Sequence, residues 1–426
     1  MSAEVAVASS SARKRDTTPI ASEDGRRADW SLIAAVLLAA VNLRTAVTSV
    51  GPLLHELHEG IGLSSTLAGA LTTLPVLSFA TLGALTPRLA RRVGDQRALA
   101  LALVLMTLGL AFRALVGSPW PFMLLSVAAL AGGAMGNVLL PVIIKRHFPR
   151  RIGAMTAAYT TSMAVGTTLA AAVTVPLARL GMGISWRLGL GLWAILSAAG
   201  AVIWLARAGK SSVGSDSAAN RPAWLLVRHS RTAWALAVFF GTQALQAYVA
   251  FGWFALFFQE QAGASAAEAG LLVGVLAGLA IPISMVIPSL AVRRRSQRPL
   301  VAGLLALYVI AYFGMLTVPR AGAWAWMVIA GAGGGAFPLA LTMIELRSRT
   351  VAGAASLSAF AQSLGYVLAG VGPLLVGVLH GLTGGWVWPF VLLFGDLVLM
   401  AVSGWYVAQP RYVEDDLEDL GYKASA

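Results

Sequence analysis

The sequence predicts an all-α membrane protein of twelve transmembrane helices, arranged as two six-helix bundles related by pseudo-two-fold symmetry. Three observations carry that expectation. The first is composition: of 426 residues, 58% are hydrophobic and only 12% are charged, with a mean hydropathy of +0.77. Soluble domains carry about a quarter charged residues, so this chain has half the usual supply for a wetted surface. The second is the recurrence of apolar runs about 20 residues long, the length that crosses a ~30 Å hydrocarbon layer. The third is a duplicated basic segment at matching places in the two halves. A soluble enzyme, a disordered chain and a fibrous protein are excluded. The chain has no cysteine, so disulfides, thiolate metal sites and cysteine nucleophiles are excluded too. Its 45 glycines and 18 prolines suit transmembrane helices, which tolerate both.

Taken in order, the apolar runs of the first half cover 30–54, 65–90, 97–116, 120–145, 152–178 and 185–206. Those of the second cover 232–259, 266–292, 299–317, 322–346, 350–379 and 385–408. Residues 1–29 are polar and lack the apolar stretch of a signal peptide; they read as a disordered tail. Residues 207–231 form a charged linker between a bundle at 30–206 and a bundle at 232–408, and 409–426 form a second tail.

Charge sets the orientation. With the N-terminus inside, the inner segments hold 26 of the 31 Lys and Arg, against 4 outside: Arg113, Arg179, Arg187 and Arg320. The positive-inside rule then places both termini in the cytoplasm and the chain in the plasma (inner) membrane. The same clustering into short loops disposes of the nucleic-acid reading that a net charge of +13 invites. One basic residue is left over within a span, Arg44.

The segment Pro87-Arg-Leu-Ala-Arg-Arg-Val-Gly-Asp-Gln-Arg-Ala-Leu99 recurs 201 residues later as Pro288-Ser-Leu-Ala-Val-Arg-Arg-Arg-Ser-Gln-Arg-Pro-Leu300, with seven of thirteen positions identical. Each copy joins the second span of its half to the third. Parallel six-span repeats are an alternating-access transporter layout.

Leu89-Ala90-Arg91-Arg92-Val93-Gly94 resembles the loop motif of the major facilitator superfamily, with Arg92 and Gly94 in register. Thr86 stands where that motif has Gly, and Arg91 where it has the Asp of a salt-bridge gate. Asn42-Leu43-Arg44-Thr45-Ala46-Val47-Thr48-Ser49-Val50-Gly51-Pro52-Leu53-Leu54 and Leu74-Pro75 resemble the cyanate/2-nitroimidazole permease branch (CynX/NimT). So do Gly136-Asn137-Val138-Leu139-Leu140-Pro141, the run from Leu357 to Tyr366, Gly372-Pro373-Leu374-Leu375 and Thr383-Gly384-Gly385-Trp386. The resemblance spans Trp30 to about Trp405. It implies the major facilitator fold and transport of small anions or small azole-like molecules.

Arg44 is the sharpest site candidate. It lies about 21 Å along the helix from Trp30 at 1.5 Å per residue, and a cation at that depth costs about 2.5–3.5 kcal/mol unless it faces water or a partner. At helical spacing Arg44, Thr45 and Thr48 share one face. The guanidinium fork suits carboxylate-like or linear anions. Gln243, Gln246 and Trp253 share a face of the seventh span; Gln362 and Tyr366 lie on the eleventh; Asn137 and Tyr159 lie on the fourth and fifth. These ten are the expected substrate-binding residues. Arg91, Arg92, Glu345 and Asp396 are the expected gating or coupling residues, with Glu345 paired to Arg347 or Arg349 and Asp396 hydrogen-bonded inside the twelfth span.

The expected partners are the lipid bilayer and a small-molecule or anion substrate, and the chain reads as a monomer. Nothing points to a cofactor or metal: the His55, Glu56, His58, Glu59 group lacks zinc spacing and no Walker loop occurs. A proton-coupled multidrug efflux pump would require cavity acids, and a membrane receptor or sensor would require a larger extramembrane domain than these short loops supply.

Overall fold

The computed structural model describes residues 30–148, 151–180, 185–208 and 227–418. The expected tail at 1–29, most of the linker and residues 419–426 lie outside the described residues. Within them every regular element is helical. Span one is Trp30–Asn42, Thr45–Thr48, a 3-10 turn Gly51–Leu53 and Leu54–Ile61. Spans two to six are Ser65–Val93, Asp95–Arg113, Pro119–His147, Ile152–Ala178 and Trp186–Ala208. Span seven is Arg231–Ala262, and span eight joins Ala266–Gly278 to Ala280–Val292. Spans nine to twelve are Arg298–Thr317, Ala323–Gly333 with Ala336–Leu346, Val351–Thr383 and Val387–Val407. Among the described residues eleven of these are long and apolar enough to cross a membrane, and span two begins with a shorter apolar helix, Ser65–Phe79.

The internal repeat extends into capping geometry. Span one ends at Gly62 (φ +70°) and span seven at Gly263 (φ +62°), 201 residues apart. Only glycine adopts that left-handed conformation without strain. Two residues on, Ser64 caps span two by accepting from Leu67 N at 3.3 Å, and Ser265 caps span eight by accepting from Glu268 N at 3.2 Å. Farther along, Arg97 Nε donates to the Ala208 carbonyl (3.1 Å) and Arg298 Nε to the Trp405 carbonyl (3.4 Å), so each tethers the third span of its half to the sixth.

The described chain ends, Trp30 and Glu418, lie on one side of the bundle, here called the terminal side; the other is the distal side. The halves meet on the distal side. Thr73 Oγ1 donates to the Gly370 carbonyl at 2.9 Å and Gln259 Nε2 to the Pro52 carbonyl at 3.3 Å. Contact is close enough to require glycine at two facing points: a Cβ on Gly51 would sit 2.5 Å from the Phe251 carbonyl oxygen, and one on Gly252 2.7 Å from Thr72 Cγ2. Toward the terminal side the halves part.

Two expectations need correction here. Span one is not a continuous helix: it breaks between Asn42 and Thr45. Asn42 turns its side-chain amide to the Leu38 carbonyl (2.9 Å) and the Leu196 carbonyl (3.3 Å). Second, Arg113 is no loop residue. It is fully buried in the last turn of span three, donating to the Ala46 carbonyl (3.3 Å) and to Ser49 Oγ (3.2 Å). Arg44 is therefore not the sole cation held inside the bundle.

Candidate functional site

A cavity of about 490 Å3 lies between the halves, running from Arg44 to Glu345 and Pro288 near the terminal side. Its size is that of a small-molecule site. Arg44 occupies the residue between the two helical pieces of span one, where irregular backbone is tolerated because it lines a cavity. Its guanidinium carbon stands 5.8 Å from the Phe79 ring centroid, and Tyr159, Tyr248 and Tyr366 surround the charge. Among the described residues it makes no ion pair. Phe79 stacks on Tyr366 across the two halves with centroids 6.1 Å apart, and Tyr366 meets Phe240 edge-on at 5.2 Å. Phe79, Tyr366 and Phe240 thus form an aromatic layer beside Arg44, of which Tyr366 lines the cavity.

Of the expected binding residues, Arg44, Gln243, Gln246 and Tyr366 line the cavity, and Tyr159 stands beside the Arg44 charge. Thr45 and Thr48 do not. Once the helix breaks, both become fully buried and their hydroxyls donate to backbone carbonyls of Asn42 (2.9 Å) and Arg44 (3.1 Å). Thr45 thus bridges the break and Thr48 bonds back within its own short helix; neither lines the cavity. Trp253 is buried at the distal closure with its indole N–H on the Pro373 carbonyl (3.1 Å). Gln362 donates to Ser358 Oγ one turn back (2.6 Å), and Asn137 is half-buried on span four; neither lines the cavity.

Sequence reasoning missed Thr160, Thr167, Tyr248, Ser284, Tyr308 and Tyr312, all of which line the cavity. Span seven contributes eight cavity residues between Gln243 and Phe254, a surface much wider than one helical stripe. A search for a single face therefore finds the two glutamines and passes over Tyr248.

Gln246 links the cavity to Asp396, the one buried acid among the described residues of the C-terminal spans. Its amide N–H donates to Asp396 Oδ2 (2.8 Å) and to the Leu393 carbonyl (3.1 Å), while its carbonyl oxygen accepts from the Tyr312 hydroxyl at 2.5 Å. Asp396 is thus hydrogen-bonded against span seven, as its place in span twelve suggests. Glu345 is exposed at the cavity mouth, and the expected pairing with Arg347 or Arg349 is not made. Arg347 is buried and donates to the Val407 carbonyl (2.7 Å) and the Gln297 side chain. Arg349 pairs with Asp415 (2.6 Å) in the short helix Val413–Glu418. Both arginines serve the C-terminal segment, which competes successfully for them. Arg92 is exposed without an ion pair among the described residues, and the Arg91 side chain lies outside them. The carboxylate near that loop is Asp95, paired to Arg146 of span four at 2.7 Å.

A large cavity closed on one side by packed halves, with one uncompensated guanidinium at its end, is a binding chamber of a membrane carrier. It offers no nucleophile and base pair for covalent chemistry. Comparisons agree. Residues 36–370 match the Major Facilitator Superfamily profile. The "2-nitroimidazole transporter" of Escherichia coli (strain K12) is 35% identical over 376 residues, covering 88% of this chain and 94% of that one. The "Cyanate transport protein CynX" of the same strain is 30% identical over 364 residues, covering 84% and 93%. The crystal structure of the nucleoside transporter NupG superposes with a TM-score of 0.72 at 13% identity, covering 89% of this chain and 98% of that one, a likeness of fold alone. This chain belongs to the Major Facilitator Superfamily, in its cyanate and 2-nitroimidazole permease branch, and is a multi-pass membrane transporter rather than an enzyme.

Proposed function

We propose that the chain is a monomeric secondary transporter of a small anion or small polar heterocycle, cyanate-like or nitroimidazole-like, working by alternating access around Arg44. The observation that carries this reading is the Arg44 guanidinium, presented to a cavity of about 490 Å3 with aromatic neighbours and no carboxylate partner among the described residues. A cation held at that depth needs water or an anionic partner, and the cavity supplies room for either. A cyanate ion and the paired oxygens of a nitro group are both acceptors that a guanidinium fork can grip. Two relatives are named for substrates of those two kinds, and the tyrosines and Gln243 supply further polar contacts for a ring.

In this reading the terminal side is cytoplasmic, as the distribution of Lys and Arg favours, and the conformation described faces the cytoplasm with the distal side closed. The halves rock about the Phe79–Tyr366 layer to expose Arg44 alternately. Tracer uptake into proteoliposomes tests the assignment. Saturable uptake of radiolabelled cyanate or 2-nitroimidazole, with mutual competition, is expected. Protein that moves neither compound while folded and correctly inserted would contradict the reading.

A further inference from the structure

A second buried cation lies beyond the cavity. Arg113 is fully buried, yet its Nε–H has no hydrogen-bond partner and no acid pairs with it among the described residues. Its two terminal nitrogens hold the Ala46 carbonyl and Ser49 Oγ, and its guanidinium carbon stands 6.0 Å from the Phe122 ring centroid. Beside it is a small void of about 10 Å3, lined by Arg113, Ser126, Thr72, Tyr248, Leu71 and Gly252 among others. Ser126 is fully buried, and its hydroxyl too has no partner. A buried guanidinium N–H and a buried hydroxyl, each left unsatisfied at one void, cost free energy unless something else binds them. Volume of this order holds one water molecule.

Position gives the void its meaning. Tyr248 lines both the small void and the Arg44 cavity, and its hydroxyl lies next to the Arg44 guanidinium. Gly252, also at the void, is the residue whose close contact with Thr72 closes the distal side. Parting that contact, as a distal-open state requires, would enlarge the void toward the distal solution.

We infer that Arg113 and Ser126 form a second anion subsite, on the distal side of Tyr248, that receives the transported anion when the distal side opens and passes it to Arg44 when that side closes. The inference rests on the transport reading above. In the conformation described the subsite is collapsed to the size of a water, while Arg44 is open to the terminal side. Two guanidiniums separated by one tyrosine thus give each face of the carrier its own first anion contact.

The test measures sidedness with radiolabelled cyanate, using intact cells, which present the distal face, and inverted membrane vesicles, which present the terminal face. Arg113→Gln is expected to raise KM at the distal face by about ten- to a hundredfold, the loss of one charge-assisted contact. KM at the terminal face is expected to stay within about twofold of wild type. Ser126→Ala, which removes only an unpartnered hydroxyl, is expected to raise the distal KM by about threefold or more. This variant carries the test if Arg113→Gln fails to insert. A structural role for Arg113 predicts lower protein yield or maximal rate with KM unchanged at both faces. That result, or a shift equal on both faces, or Ser126→Ala kinetics identical to wild type, overturns the subsite while leaving the transport reading intact. Wild-type protein with no saturable cyanate flux at either face overturns both.

Discussion

Spans one and seven hold equivalent places in the repeat, ending on matched glycines 201 residues apart, yet they are built in opposite ways. Span one is broken at its middle and delivers a cation to the cavity. Span seven is one unbroken helix of 32 residues, carries no charge between Arg231 and Glu260, and lines the cavity with amides and aromatic rings. The difference teaches what a duplicated scaffold can keep and what it must vary. Caps, loop tethers and span lengths repeat because each half must solve the same packing problem. The cavity wall does not: Arg44 comes from span one, and span seven lines the cavity without a charge. A helix break is a direct way to bring a cation inward, since unwound backbone lets Arg44 leave the helix surface while Thr45 hydrogen-bonds the Asn42 carbonyl.

The comparison also separates two of the intramembrane charges, Arg44 and Asp396. Arg44 in the N-terminal half has no carboxylate partner among the described residues. Asp396 in the C-terminal half is held back from the cavity by Gln246, which shares one hydrogen bond with it and another with Tyr312. A cation left open and an acid kept bonded are what the anion site proposed at Arg44 requires.

The asymmetry of closure offers the largest effect. Because the chain has no cysteine, Ser284→Cys, in the cavity on span eight, would be the sole thiol. A membrane-impermeant maleimide should label it from the terminal side and leave it unlabelled from the distal side. Gly51→Ala places a Cβ against the Phe251 carbonyl and opposes distal closure. If that costs the closed state about 1.4 kcal/mol, its population relative to the open state falls about tenfold, and terminal-side labelling slows with it. Equal labelling of Ser284→Cys alone from both sides would break the comparison.

Smaller effects sharpen the roles assigned to the two charges. Asp396→Leu removes an acceptor from a buried amide and should lower stability in detergent by about 1–3 kcal/mol. Asp396→Asn keeps an oxygen acceptor and should recover most of that loss. Cyanate accumulation driven by a pH gradient should be the same in Asp396→Asn and wild type; its loss with exchange intact would make Asp396 a coupling residue and not a structural one.

The smallest effect lies outside the membrane. Burial alone would raise the Glu414 carboxyl, but hydrogen bonds from Ser348 and the backbone N–H groups of Arg349 and Thr350 outweigh it and hold the group below its ordinary 4.5. A depressed carboxylate contributes stability that is fully present above its unfolded value. That contribution is lost as pH falls from about 4.5 through the lowered native value. Glu414→Gln should therefore reduce thermal stability at pH 7 by about 1 kcal/mol or less, with the difference from wild type vanishing in acid.

Much of the scaffold was legible in the sequence, because apolar length, basic loops and a repeat are local signals that bilayer physics enforces. The span limits fall within a few residues of the observed helices; the tails of spans one, seven and eleven run longer because their last turns are amphipathic. The site was legible only in part. Arg44, Gln243, Gln246 and Tyr366 announced themselves as polar groups in apolar runs. The break beside Arg44 did not, since no glycine or proline marks residues 42–45. It is held instead by distant contacts, the Asn42 amide on Leu196 and the approach of Gly133 to the Leu43 carbonyl. Thr45 and Thr48 were misplaced for that reason. Arg113 looked like a loop residue because its partners, the Ala46 carbonyl and Ser49 Oγ, lie on another span and leave no signal near it in the sequence.

The central claim is that the Arg44 guanidinium, and not merely a positive charge, binds the substrate. The most direct measurement is equilibrium binding of cyanate to purified wild type, Arg44→Lys and Arg44→Gln, each first shown to be monodisperse. Loss of the fork should weaken binding in Arg44→Lys by about tenfold, and loss of the charge in Arg44→Gln by about a hundredfold. Wild-type affinity in Arg44→Gln would contradict the account.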